Sequence, residues 1–544
     1  MHKRNLLTFG ILFLLPVGLF AQDKPGLDQR INDWFAPKAD VWESIVFTTI
    51  PLGPTDVPLV VLLLIGGATF FTLYFSFVNV RKFPMALRVV RGKYDFVEGN
   101  GKENIHPDKD LITRDGDLPD TIRDESRQGE VSHFQALTAA LSGTVGLGNI
   151  AGVAIAIALG GPGATFWMII AGLIGMSSKF VECTLGVRYR DVDPDGTVHG
   201  GPMYYLTKGF REKGWAKTGR VLAVMFAVLC VGASFGGGNA FQSNQAVAQI
   251  TATFGLTGGF VKSFLGIGIA ILVAIVIIGG IKRIANWTAK IVPFMAVIYV
   301  AACLIIVFAN YTYIDDAFYQ IISQAFTPMA GLGGLVGVII TGFRRAAFSN
   351  EAGVGSAPIA HAAVKTRYPA SEGVVALLEP FVDTVVICTM TALVIVMYNM
   401  EGAFTYGVTD ELGNVILNSS GEAVGGVGLT TLAFDSVLPH FSYVLTVAIV
   451  LFAFSTMISW SYYGLQAWKF LFGKSRSADL VYKILFLVFV VIGAAATLDA
   501  VVKFSDAMLL AMVFPNMIGL IFLSPRVKEE LNSYLKAVKE RFHA

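Results

Sequence analysis

The sequence predicts an all-α polytopic membrane protein, and three observations carry that reading. Of 544 residues, 54% are hydrophobic and 15% charged, against roughly 25% charged in an ordinary soluble domain. Mean hydropathy is +0.63. Apolar stretches recur between residues 57 and 523, each close to the roughly 20 residues that a helix needs to cross a bilayer. They are continuous runs, unlike the ten-residue alternating strands of a β-barrel. The net charge of +2 leaves no nucleic-acid footprint. Cys183, Cys230, Cys303 and Cys388 all lie in apolar segments, at spacings that suit neither a zinc site nor a disulfide framework, and read as small buried hydrophobes.

The elements follow in order. His2, Lys3 and Arg4 precede an apolar run over 6–20 and then Ala21, the layout of a secretory signal. Segment 1–21 is therefore expected to be removed. Residues 22–130 read as a periplasmic N-terminus, a peripheral helix at 57–79 and a cytoplasmic loop. Arg81, Lys82, Arg88, Arg91 and Lys93 put the C-terminal end of that helix inside. Basic residues then return in alternate loops: Arg188 and Arg190, Lys282, Arg283 and Lys290, Lys365 and Arg367, Lys469, Lys474 and Arg476, and Arg526 and Lys528. The longest outside loop, 399–440, contains Glu401, Asp410, Glu411, Glu422 and Asp435 with no Lys or Arg.

About eleven mature spans result, at 57–79, 134–159, 163–187, 219–250, 262–281, 286–309, 331–360, 374–399, 441–471, 480–498 and 501–523. The mature N-terminus lies outside and the tail, 526–544, inside. Residues 93–130 read as a loop without a core, and 202–214 as a short interfacial helix.

With the 57–79 helix set aside, ten spans divide five plus five into 131–310 and 311–525. An odd number per half forces the halves into opposite orientations, an inverted repeat. Each half contains a span rich in glycine and polar residues: Leu141-Ser-Gly-Thr-Val-Gly-Leu-Gly-Asn-Ile-Ala-Gly152 and Phe348-Ser-Asn-Glu-Ala-Gly-Val-Gly-Ser-Ala-Pro358. In inverted-repeat transporters, paired interrupted helices expose backbone groups near the midplane that bind substrate and coupling ion. Free helix N-termini suit a carboxylate. Carbonyls and hydroxyls suit a hard cation such as sodium.

Close packing through small residues is the alternative for Gly143, Gly146, Gly148 and Gly152 taken singly; with Thr144 and Asn149 the cluster favours a site. A dinucleotide fingerprint is rejected, because the last glycine is one residue late and no βαβ unit surrounds it. Ser455, Thr456 and Ser459 put hydroxyls beside Trp460, which reads as a lid over an aliphatic substrate; back-bonding to the preceding turn is the alternative for the hydroxyls. Asn239, Gln242 and Asn244 place amides that need partners at membrane depth, with Asn239 and Gln242 on one face.

Charged residues in the spans also need partners. Glu351 is expected to pair with Arg344 or Arg345 and hold the second break, and Lys179 with Glu182 near the cytoplasmic edge. Glu379 and Asp383, four apart, read as lying near a helix end, with a proton relay as the alternative. His-Glu-x-x-His, Gly-x-Ser-x-Gly and paired catalytic aspartates are absent from the sequence, so no enzyme is expected.

Gly143-Thr-Val-Gly-Leu-Gly-Asn-Ile-Ala-Gly-Val153, Gly160-Gly-Pro-Gly163, Gly200-Gly-Pro-Met-Tyr-Tyr205, Phe348-Ser-Asn-Glu-Ala-Gly-Val-Gly-Ser-Ala-Pro-Ile-Ala-His361 and Phe454-Ser-Thr-Met-Ile-Ser-Trp-Ser-Tyr-Tyr-Gly464 resemble the alanine or glycine:cation symporter family. The resemblance extends over 130–523. It implies a LeuT-like fold of five-plus-five inverted repeats with one extra N-terminal helix, and sodium-driven import of alanine, with glycine or serine as relatives of that substrate, across a bacterial cytoplasmic membrane. By matching motif, Thr144, Gly146, Asn149, Gln242, Phe348, Ser349 and Trp460 would line the substrate site. Sodium would lie between Gly143, Gly146 and the hydroxyls of Ser455, Thr456 and Ser459, with no organic cofactor. Proton coupling is the alternative ion, and an ion channel the alternative class, for which no filter or pore ring is visible. The choice of side chain rests on pocket volume.

Overall fold

The computed structural model describes residues 26–52, 55–98, 129–194, 196–277, 280–327, 334–410 and 414–542. The expected signal, 1–21, and residues 99–128 of the expected loop lie outside them. Among the described residues, seven helices are long and apolar enough to cross a membrane: Gly163–Arg188, Ala216–Phe254, Ile284–Ala309, Pro369–Glu401, Ser442–Phe472, Arg476–Ala495 and Leu498–Glu540. The pair His133–Thr144 and Gly148–Gly160, bent by 53°, makes an eighth. Leu59–Tyr74 and Val261–Ile277 are shorter apolar helices at two further expected spans. The expected 331–360 span is a helix, Leu335–Asn350, a non-helical turn, and a short helix, Ala357–His361. The chain is a helical polytopic membrane protein.

Several parts differ from expectation. Leu27–Val46, in the expected periplasmic N-terminus and given no element there, is a helix that docks on Leu498–Ala511. Asn32 accepts from the Thr497 amide at 2.9 Å, Lys503 meets Asp40 at 2.9 Å, and Phe35 stacks edge-on to Phe504. The expected interfacial helix is Pro202–Glu212, with Met203, Tyr205, Leu206 and Phe210 buried. The expected tail is helical as far as Phe542, continuous with the last span, and buries Tyr534.

The loop expected outside is a small subdomain: antiparallel strands Phe404–Thr409, Val415–Leu417 and Ala423–Val424, followed by the helix Val427–Asp435. Gln245 accepts from the Val427 amide at 2.9 Å, and Thr431 donates to Gln249 at 2.7 Å. These bonds clamp the subdomain onto Phe241–Phe254.

Besides Gly148–Gly152 in the first interrupted span, two spans contain wide π-helical turns, Gly236–Ala240 and Phe381–Cys388. Such turns take carbonyls off the regular ladder and occur often at functional sites. Both face the interrupted helices, which is how they position the site. All four cysteines are free and buried.

Candidate functional site

The first break begins as a well-capped helix. Ser132 and Gln135 form a reciprocal capping box ahead of His133–Thr144. The helix stops at Val145, where ψ turns to 84°. Two amides that would close on the carbonyls of Ser142 and Gly143 in a continued helix are diverted. The Gly146 N–H donates to Asn149 Oδ1 at 2.9 Å, and the Leu147 N–H donates to Gln242 Oε1 at 3.0 Å. Side chains thus replace backbone acceptors, and the Ser142 and Gly143 carbonyls lose their helical partners.

The second break starts at Glu351, which has φ of 56°, an uncommon value for a residue with a side chain. Gly353 and Gly355 follow with φ of 87° and 94°, values glycine tolerates without strain. Asn350 Oδ1 accepts from the Ala352 amide at 2.9 Å, and Asn516 Nδ2 donates to the Gly353 carbonyl at 2.9 Å.

Asp383 joins the two breaks. Its carboxylate accepts from Asn149 Nδ2 at 2.6 Å, from Ser349 Oγ at 2.7 Å and from Thr384 Oγ1 at 2.8 Å. Asp383 and Glu379 are fully buried rather than near a helix end. Sequence reasoning paired Asp383 with Glu379, four residues away, and missed its bonds to Asn149 and Ser349, which come from distant segments; the signal was its membrane depth.

The expected site residues are then distributed as follows. Gly146, Asn149, Gln242, Phe348, Ser349 and Thr456 converge on the first break, whereas Trp460 reaches the second. A Cβ on Gly146 would lie 2.3 Å from Thr456 Oγ1 and 3.1 Å from Gln242 Oε1. Phe348 packs over Gly148 and Gly237 and meets Phe241 edge-on at 5.0 Å. Trp460 lies against Gly238, where no Cβ would fit, and donates from Nε1 to Glu351 at 3.0 Å.

The hydroxyls part company. Thr456 Oγ1 is buried without a hydrogen-bond partner. Ser455 donates to the Phe452 carbonyl at 2.9 Å, and Ser459 to Ala139 at 3.2 Å. Thr144 leans back on the Ala140 and Leu141 carbonyls at 3.4 Å each, and Gly143 packs under Tyr463. An unpartnered buried hydroxyl against Gly146, at a break whose Ser142 and Gly143 carbonyls have lost their helical partners, suits a hard cation.

Two ion-pair expectations and one amide expectation are corrected. Glu351 pairs with no arginine; it accepts from Trp460 and Ser356. Arg344 instead bridges Asp506 at 2.7 Å and Glu43 at 3.1 Å, and Arg345 joins Asp506. Lys179 pairs with Glu379 at 2.9 Å, whereas Glu182 accepts from Asn516 at 2.7 Å. Asn239 donates to the Phe486 carbonyl at 2.6 Å and takes no part beside Gln242. In each case the partner comes from a distant segment, because burial demands a good partner and not a near one.

Two interrupted helices, held together by one buried carboxylate inside a polytopic bundle, define a membrane transporter. The sodium:alanine symporter family model matches residues 118–544, and the chain belongs to that family. It is 39% identical over 481 residues to the sodium/alanine symporter AgcS of Methanococcus maripaludis, covering 88% of this chain and 94% of the relative. It is 33% identical over 484 residues to the probable sodium/glutamine symporter GlnT of Bacillus subtilis, covering 88% of each. Among solved structures, MhsT in complex with L-phenylalanine aligns over 76% of this chain and 100% of its own, with TM-score 0.48 and 16% identity. The relatives are transporters, and the chain is not an enzyme.

Proposed function

We propose that the protein imports a small neutral amino acid, alanine first, with the inward sodium gradient as the driving force. The arrangement behind this is alternating access in a LeuT-like five-plus-five repeat with one extra helix, eleven spans in all, in the bacterial inner membrane with the tail inside. The observation that carries it is the unpartnered Thr456 hydroxyl against Gly146, where the Ser142 and Gly143 carbonyls have lost their helical partners. Sodium takes the hydroxyl and released carbonyls, with Ser455 and Ser459 as reserve oxygens one helical turn apart.

The substrate's carboxylate faces the amide end of the first break near Gly146, and its side chain meets Phe348 and Trp460. Gln242, Asn149 and Ser349 fix the walls. Sodium and substrate together stabilise the occluded arrangement, and the gradient makes the cycle vectorial.

The test is uptake of labelled L-alanine into proteoliposomes under one gradient at a time. Accumulation with inward sodium supports the reading; accumulation with a proton gradient alone moves the coupling ion, and none with any gradient removes alanine. Competition by glycine, serine and glutamine then ranks side chains. Thr456→Ala should raise the sodium concentration for half-maximal uptake by about tenfold, as for one lost contact of about 1.4 kcal/mol. Alanine affinity at saturating sodium should change little. Equal losses in both would assign Thr456 to packing.

A further inference from the structure

A second buried constellation lies beyond the substrate site, at the end that Lys365 and Arg367 mark as cytoplasmic. Glu98, His133, Glu372, His361, Glu379 and Lys179 form an unbroken chain, none more than 5% exposed. His133 uses Nε2 toward Glu98 and Nδ1 toward Glu372. His361 uses Nδ1 toward Glu372 and Nε2 toward Glu379, whose other oxygen meets Lys179 at 2.9 Å. His133 opens the first half of one interrupted helix and His361 closes the second half of the other. Glu372 sits between the two imidazoles and so ties both.

Four contacts join an imidazole nitrogen to a carboxylate oxygen, and each needs one hydrogen. A neutral imidazole supplies one N–H, so two neutral histidines supply two of the four. A bare ring nitrogen facing a carboxylate would set lone pair against lone pair. A metal would need ligands converging on one point, and no group of His, Cys, Asp or Glu among the described residues does so.

We infer that this chain is a two-proton site that latches the cytoplasmic ends of both interrupted helices. The charges agree: three carboxylates balance Lys179 and two imidazolium rings, a neutral sum that burial favours. The other groups facing the chain are Tyr534, which donates to Glu98 at 2.8 Å, and Thr366, at 3.1 Å. Tyr94 and Asp95 lie beside Glu98, and Glu182, Cys183 and Glu351 around Lys179 and Glu379.

Opening the latch hydrates its members. Above pH of about 7, exposed histidines are neutral and carboxylates ionised, so the open form holds two protons fewer. The closed form, binding more protons, is favoured as pH falls and lost as pH rises. The open-to-closed ratio therefore grows about 100-fold per pH unit for two protons.

Hydrogen–deuterium exchange on the full chain in nanodiscs, from pH 7.0 to 8.5 with times scaled to intrinsic amide rates, tests this without transport. Peptides within 357–376 should show that 100-fold slope, and peptides within 476–495 none. Glu372→Gln lets one amide donate to one imidazole and accept from the other, so a single extra proton suffices and the slope falls to about tenfold. A flat wild-type response, or an unchanged slope in E372Q, overturns the site; should E372Q not fold, the wild-type slope against the 476–495 control decides. Absence of sodium-driven uptake would remove the symport reading and leave this slope untouched.

Discussion

Gly146→Ala is expected to lower sodium-driven uptake by about 100-fold, the scale of a misplacement near 1 Å at a working site. Its Cβ would sit 2.3 Å from Thr456 Oγ1 and 3.1 Å from Gln242 Oε1, so either Thr456 swings away or Gln242 releases the Leu147 amide. Both outcomes disturb the same break. Gly152→Ala is the control, since its Cβ would meet nothing nearer than the Leu147 carbonyl at 4.0 Å. That variant should keep uptake within about twofold and melt slightly higher, as helical alanine does relative to glycine. Equal uptake by the two variants, at matched amounts in the bilayer, would show that contact with Thr456 does not matter.

Lys179→Met should destabilise the folded protein by about 3–5 kcal/mol, because it strands a carboxylate in the interior. Lys179 and Glu379 are both fully buried and meet at 2.9 Å. Met is close in shape to the aliphatic part of lysine, so lost packing contributes little. The double variant Lys179→Met with Glu379→Gln should recover a large part of the loss, since glutamine still accepts from His361 and carries no charge. Thermal unfolding in detergent reads both. A double variant as unstable as the single would place the loss in packing instead of charge.

Much of the membrane architecture was legible in the sequence. Apolar runs of about twenty residues found most of the spans, because the hydrocarbon core demands that length whatever the topology. The two breaks were legible too, since glycine clustered with polar residues inside a span marks backbone that faces a cavity and not lipid. Gly146, Asn149, Gln242, Phe348, Ser349 and Thr456 lie together in three dimensions, with Trp460 at Glu351 of the other break. Leu27–Val46 escaped notice because its composition is that of a surface helix interrupted by Pro37, with no apolar run to mark it.

The charged partners were not legible. Local spacing paired Lys179 with Glu182 and Glu351 with an arginine, as neighbours on a helix surface do in water. Inside the bundle, Lys179 finds Glu379, 200 residues away, and Glu351 finds Trp460. Asp383, read beside Glu379 on local spacing, instead bonds Asn149 and Ser349 and so connects the two breaks.

The sequence by itself determined what the bilayer and the backbone impose locally: which segments are apolar enough to span, and where helices must break. Only the tertiary structure decided which buried donor meets which acceptor. Those choices set Thr456 against Gly146, Asp383 between Asn149 and Ser349, and the histidines on either side of Glu372. The physical reason is that hydrophobic length acts along the chain, whereas an electrostatic partner in a low-dielectric interior is chosen through space.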